Sequence, residues 1–284
     1  MLFNLDFVFV GPQRTGTSWI DQVLRTHPKL CLPKDVKETM FFDRHYKKGI
    51  SYYASYFNKG KKGQIFGELA PTYFDDPLVP VRIRKLNPYC KIFISIREPI
   101  SRVLSLYIHN LKKGYIKGSL MEAVRQLPRL LDSGKYSNII PVWLNTFGTD
   151  QVFFILFDEI ENKPGLVLNN ICKYLNIEKI SMPETCNRKI NQTTFPRYPS
   201  LARLVAPIII FLHDHRLHHI VEIGKNIGLN KIYTGSKKKP VKFSTEEIKY
   251  VLDYYFDDIL FLENLLNIDL SEWREINGES DYSN

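Results

Sequence analysis

Cysteine is scarce in this chain. Cys31, Cys90, Cys172 and Cys186 are the only four among 284 residues, widely spaced, with no Cys-x-x-Cys pair and no partnering histidine pattern. That argues against a zinc site and does not force a disulfide framework. Cys90 and Cys172 fall in apolar segments and read as core thiols. A Cys31–Cys186 pair stays open. Long apolar runs are also missing. The longest, Leu204–Leu212, is broken by Pro207 and is too short to span a bilayer. The first residues lack the basic region of a secretion signal, so the expected location is cytoplasmic, unless this is the trimmed luminal part of a longer protein, and no stable membrane insertion is expected. Repeats and low-complexity stretches are absent, which excludes solenoid and fibrous classes. Acidic residues are outnumbered 30 to 39 by Lys and Arg, for a net charge of +9. Such a balance favours anionic partners or reflects a generally basic surface; it does not choose between them.

What is present is an ordinary globular composition, 44% hydrophobic and 24% charged. Short β-rich runs at Phe7–Val10, Leu30–Pro33, Ile65–Glu68, Lys91–Ile96 and Val152–Phe157 predict strands. Helical patterns cover Ser18–Thr26, Val79–Leu86, Ser101–Lys112, Ile139–Thr146, Pro164–Leu175 and Thr245–Leu266. Pro99 suits the first turn of the third. Lys37–Asp43 reads as a loop or short helix. The alternation predicts one α/β domain over residues 1–284, a mostly parallel sheet with helices on both faces. A variable, mainly helical segment, about 195–235, interrupts the pattern.

Gly11-Pro12-Gln13-Arg14-Thr15-Gly16-Thr17-Ser18 joins the first strand to the first helix. Glycines let the backbone turn tightly and aim N–H groups inward, and the helix N-terminus adds positive potential. The spacing approaches that of the nucleoside-triphosphate loop, but Thr17 stands where that loop carries Lys. A ligand-free turn is the other reading. Further on, Arg97 follows a predicted strand, at the sheet edge where open α/β folds bind ligands. Ser101 and Ser105 share the next helix face, so Arg97 and Ser105 are expected to converge on one anion. An Arg97 ion pair with Glu98 or a neighbouring helix is the alternative.

Together the two motifs resemble the 5′-phosphosulfate loop and the 3′-phosphate site of the PAPS-dependent sulfotransferase family. The likeness is greatest to the heparan-sulfate-type O-sulfotransferase branch and its bacterial relatives. Lys37–Asp43, Gly67–Phe74, Trp143 and Ile259–Trp273 extend it in chain order. The resemblance implies a P-loop-like fold and sulfuryl transfer from 3′-phosphoadenosine 5′-phosphosulfate (PAPS) to a hydroxyl, less readily an amine, leaving adenosine 3′,5′-bisphosphate, without a metal. It implies donor contacts at Arg14, Thr15, Gly16, Thr17, Ser18, Arg97 and Ser105. A basic loop including Lys237, Lys238 and Lys239 would close over the donor, unless it is a solvated lysine run.

Glu38 takes the position of the catalytic glutamate of the glycan branch; a surface Glu paired to Lys37 or Lys34 is its other reading. Arg14 takes the place of the loop lysine that steadies the leaving phosphate. Leu69 stands where the glycan branch carries Lys, which weakens the case for a glycan among the glycan, lipid and small hydroxylated acceptors. His45 and His109 are alternative bases. His215, His218 and His219 have helical spacing but no supporting carboxylate or cysteine pattern, so no metal is expected. Two other functions compete. A P-loop-type nucleotide kinase lacks its lysine and a clear magnesium carboxylate here. A non-enzymatic binder of nucleic acid or acidic glycans needs a basic stripe, whereas these lysines are scattered, so no nucleic-acid partner is expected.

Overall fold

Strands that are apolar on both sides have to be covered on both sides, and that requirement builds the fold. The computed structural model describes residues 3–180 and 243–275, with the backbone of two short strands between them. The chain divides into two compact units, Met1–Glu98 with Ser133–Ile190, and Pro99–Asp132 with Asn191–Asn284.

The first unit holds a parallel sheet of β1 (Phe7–Phe9), β2 (Leu30–Cys31), β3 (Ile65–Leu69), β4 (Lys91–Ile96) and β5 (Val152–Leu156). The strand order is β2-β3-β1-β4-β5. Phe7, Phe9, Leu69, Phe93 and Ile155 pack with Ile20 and Leu24 of α1 (Thr17–Leu24). Ile160 of α8 (Phe157–Asn162) and Val167, Ile171 and Leu175 of α9 (Pro164–Leu175) complete this cluster. The Phe9 and Phe93 rings stack with centroids 4.3 Å apart. Each such buried ring contributes on the order of 2 kcal/mol. Val8 and Glu68 lie opposite each other in the β1–β3 register, alternate with those rings, and are also fully buried. Near Glu68 stand Tyr53 of α2 (Ile50–Ala54) and the segment before α3 (Leu78–Leu86). Trp143 of α7 (Tyr136–Phe147) is buried and donates to the Phe74 carbonyl at 3.0 Å.

The second unit contains α4 (Pro99–Lys113), α5 (Leu120–Gln126), α6 (Arg129–Asp132) and α10 (Thr245–Leu266). Pro99 opens α4, as its missing N–H predicts. Arg102 is fully buried on α4; its Nη2 donates to the Tyr255 hydroxyl at 2.7 Å and the Leu130 carbonyl at 3.3 Å. Capping boxes at Ser119/Glu122 and Ser244/Glu247 begin α5 and α10. Glu247 also accepts from the Leu120 N–H at 2.9 Å, tying the two starts together. Backbone strands β6 (Phe195–Pro196) and β7 (Thr234–Ser236) pair antiparallel. No helix among the described residues is long and apolar enough to cross a membrane.

The fifth strand stops at Leu156, and Phe157 opens α8, whose first turn carries Asp158 and Glu159. Acidic residues there suit a helix N-terminus. The Lys37–Asp43 stretch resolves into an arm ending at Met40 and a wide helical turn, Phe41–His45.

Candidate active site

The sheet order makes β1 a switch point: the chain goes to β2 and β3 on one side, then crosses to β4 and β5 on the other. The crevice beyond the carboxyl end of such a strand is where open α/β sheets bind ligands. Here it receives the loop from Gly11 to Gly16. Gly11 is required by close approach, since a Cβ would lie 2.3 Å from Ser95 Oγ of β4. Gly16 sits at φ +85°, and a Cβ there would come within 2.9 Å of Ile160. Arg14 also takes a positive φ, 77°, which costs an L-residue about 1 kcal/mol or more. Thr15 is wholly buried; its hydroxyl donates to the Pro12 carbonyl at 2.7 Å and lies 2.6 Å from Ser95 Oγ. Those bonds lock the loop to β4. Gly16 caps α1 with no side-chain hydrogen bond, and no acidic residue lies in the first turn. The first N–H groups of a helix have no partner within it, which is what makes such an end suit an anion.

Arg97 follows β4 directly. Its backbone is held by Tyr136, whose hydroxyl accepts from Arg97 N–H at 3.2 Å and donates to the Arg97 carbonyl at 3.1 Å. The guanidinium lies 4.2 Å over the Phe157 ring, and Nη1 donates to the Arg14 carbonyl at 3.1 Å. Burial lowers the pKa of Arg97, opposed by Glu161, Glu98 and Asp158. Burial, and then repulsion by Arg97, lowers that of Arg14.

Lys37 and Glu38 ride on an arm anchored at both ends. On the near side, Arg25 of the α1 C-terminus pairs with Asp21 at 2.9 Å and donates to the Pro33 and Val36 carbonyls, each at 2.9 Å. On the far side, Thr39 N–H donates to Glu68 at 2.5 Å. The Tyr73 hydroxyl accepts from Phe41 N–H at 2.9 Å and from Phe42 N–H at 3.3 Å, and donates to Glu68 at 3.3 Å. Tyr53 donates its hydroxyl to Glu68 at 2.8 Å and stacks on Phe41. Met40, at φ 51°, makes the bend between these contacts. Burial pushes the Glu68 carboxyl up to about 7, against the hydrogen bonds from Thr39 and Tyr53, and the charge of Glu38 adds to the rise. Lys37 reaches back to α1: its Nζ donates to Thr17 Oγ1 at 2.9 Å and Ser18 Oγ at 3.4 Å. The same ammonium lies 3.7 Å from Glu38 Oε1. Burial lowers the Lys37 pKa; Glu38 and Asp21 oppose this and Arg14 adds to it.

The first unit thus carries Arg14, Thr15, Gly16, Thr17 and Ser18 on one loop, with Arg97 on it and Lys37–Glu38 beside α1. Lys34 pairs with Asp35, leaving Lys37 as the neighbour of Glu38. Leu69 is buried in the core cluster and offers nothing to the crevice. Ser105 belongs to the second unit, where it is buried on α4. His45 closes the wide turn, near the Tyr52 ring; His109 is on α4. Lys237, Lys238, Lys239, Cys186 and His213–His219 lie outside the described residues; Gly235 and Ser236 are in β7. Cys31, Cys90 and Cys172 are buried thiols. No cluster among the described residues has the three or more His, Cys, Asp or Glu that a metal site needs. Lys37 and the Glu68–Tyr53–Tyr73 set escaped the sequence reading. The sole sequence signal for Lys37 was its place before Glu38.

Strand, glycine loop and helix at a switch point define a P-loop-like α/β protein. Residues 4–202 match the model of the sulfotransferase domain, and the chain belongs to that family. It is 31% identical over 191 residues to the bifunctional heparan sulfate N-deacetylase/N-sulfotransferase 1 of Caenorhabditis elegans, covering 61% of this chain and 22% of that protein. It is 27% identical over 186 residues to the heparan sulfate glucosamine 3-O-sulfotransferase 3B1 of Mus musculus, covering 61% and 46%. The chain therefore matches less than half the length of these relatives. A sulfotransferase from Alicyclobacillus acidocaldarius superimposes with a TM-score of 0.69 at 20% identity, over 96% of this chain and 100% of that one; this likeness speaks for the fold.

Proposed function

We propose that the chain is a sulfotransferase that moves the sulfuryl group of PAPS to a hydroxyl-bearing acceptor. One observation carries the reading. Arg97 is held against the Arg14 carbonyl at the carboxyl edge of the sheet, where its charge adds to the burial that lowers the Arg14 pKa. Like charges gathered at an uncapped helix N-terminus become favourable once an anion lies between them. Membership of the sulfotransferase family supports a nucleotide carrying both a 5′-phosphosulfate and a 3′-phosphate as the anionic ligand. The same match, over residues 4–202, spans the first unit and enters the second, and we read residues 1–284 as one domain.

In this reading the loop N–H groups from Arg14 to Ser18 cradle the 5′-phosphosulfate. Thr15 contributes its backbone, because its hydroxyl serves the loop itself. Arg97 binds the 3′-phosphate, and the family resemblance adds Ser105 and Lys237–Lys239 to the donor contacts. The acceptor oxygen forms a bond to sulfur and passes its proton to Glu38. The bond from sulfur to the bridging oxygen breaks, and its electron pair goes to the 5′-phosphate. Arg14 acts as a fixed positive charge, since a guanidinium does not give up its proton at physiological pH. The relatives named for heparan sulfate support a glycan acceptor. Leu69, sunk in the core, weighs against it by leaving that end of β3 without a cation.

Thermal melting tests the donor assignment. Adenosine 3′,5′-bisphosphate at about 100 times its dissociation constant should stabilise the protein by roughly 2.7 kcal/mol, and ATP–magnesium should not. Stabilisation by ATP–magnesium alone would overturn the proposal in favour of a kinase.

A further inference from the structure

We propose that Lys37 is a further donor-binding residue, its ammonium contacting the 5′-phosphate end of the nucleotide. This rests on the donor reading above. In a triphosphate loop, the residue two before the end of the motif's Gly-Lys-Ser/Thr run is glycine and the next is lysine, which reaches the phosphates. Here Gly16 is followed by Thr17, and the loop supplies no ammonium of its own. Lys37 brings one from another segment, 2.9 Å from Thr17 Oγ1 and 3.4 Å from Ser18 Oγ, at the first turn of α1.

Three features set this apart from an ordinary surface lysine. The arm is fixed on both sides of Lys37, by Arg25 on the Pro33 and Val36 carbonyls and by Glu68 on Thr39 N–H. Its ordering entropy is therefore already spent before a ligand arrives. The side chain is only 24% exposed, so its aliphatic stem is packed and its head is aimed. The two hydroxyls lie closer to Nζ than Glu38 does, at 3.7 Å, so the ammonium points to the helix N-terminus more than to its neighbouring carboxylate. A hydroxyl is a weak partner for a cation, and a phosphate oxygen is a strong one. As the bond from sulfur to the bridging oxygen breaks, negative charge grows on the 5′-phosphate, and Lys37 offsets it there. Adjacent residues of one arm then serve both ends of the reaction, Lys37 at the leaving group and Glu38 at the attacking oxygen.

The test is calorimetric titration of wild type, K37M and K37R with two nucleotides, adenosine 3′,5′-bisphosphate and adenosine 3′-monophosphate, which lacks the 5′-phosphate. K37M should bind the bisphosphate at least ~10-fold more weakly and the monophosphate within ~2-fold of wild type, and K37R should recover part of the loss. An equal loss for both nucleotides, or a change in K37R as large as in K37M, would make Lys37 structural and overturn the proposal. So would unchanged bisphosphate affinity in a folded K37M. If wild type binds neither nucleotide, the donor reading itself fails and this assignment goes with it.

Discussion

Glu38 is flanked by unlike neighbours, an ammonium 3.7 Å away on Lys37 and a backbone pinned by Glu68 at Thr39. A carboxylate so placed is held beside the ammonium of the same arm and keeps 21% of its side chain exposed. Glu38→Gln should therefore keep bisphosphate affinity and lose at least ~10²-fold in turnover. Labelled-donor transfer onto a panel of glycans, lipids and phenols reads this, using whichever acceptor wild type labels. Turnover at the wild-type level would remove Glu38 as the base. At this scale much of the site was legible. Gly11, Arg14, Gly16 and Arg97 stood out by residue type and spacing, and Glu38 through the family resemblance. Lys37 did not, because its meaning depends on where its Nζ goes. Twenty residues separate it from Thr17, and no local pattern reports that contact.

Between elements, the Glu68 network does the positioning. It joins β3, α2 and the turn after Glu38 through one carboxyl group that accepts from Thr39 and Tyr53 and meets the Tyr73 hydroxyl. Its pKa is about 7 in the folded protein, raised chiefly by burial from an ordinary 4.5. The folded state then binds more protons than the unfolded chain between those values. Its contribution to stability is complete below about pH 4.5 and is lost as pH rises through about 7. Glu68→Gln should flatten that slope. Urea unfolding at pH 5.5 and pH 8 should differ less in the variant than in wild type, by on the order of 2 kcal/mol. Equal pH slopes in the two proteins would show that Glu68 is not the titrating group. Strands β1 to β5 and helices α1, α3, α4, α7, α9 and α10 were recognisable as elements from their apolar patterning, whereas β6 and β7 fall where a mainly helical segment was expected. Short α2, α5, α6 and α8 were missed, since a helix of one or two turns leaves too little periodicity to read.

Across the whole chain, 39 basic residues against 30 acidic ones make the protein attractive to anions at a distance. If the donor site draws on that charge, bisphosphate affinity should fall ~10-fold between 50 and 500 mM salt, because screening shortens to a few ångströms. Calorimetry across that range checks it, and a flat profile would confine the electrostatics to the loop. The family match, over residues 4–202, spans the first compact unit and enters the second, while the Gly11–Gly16 loop, Arg97 and the Lys37–Glu38 arm all belong to the first.

The sequence by itself determined the parallel α/β architecture and the phosphate-loop character of Gly11–Ser18, because period, glycine placement and strand–loop–helix order are local properties. Tertiary structure alone decided strand order, the pairing of Arg97 with the loop backbone, the fully buried Glu68 and the ammonium of Lys37 at α1. Those are contacts between segments distant in the chain, chosen by how buried surfaces fit and by which polar groups must find partners. The scarce cysteines carry the same lesson: spacing argued against a metal centre, but only packing showed Cys31, Cys90 and Cys172 to be buried thiols.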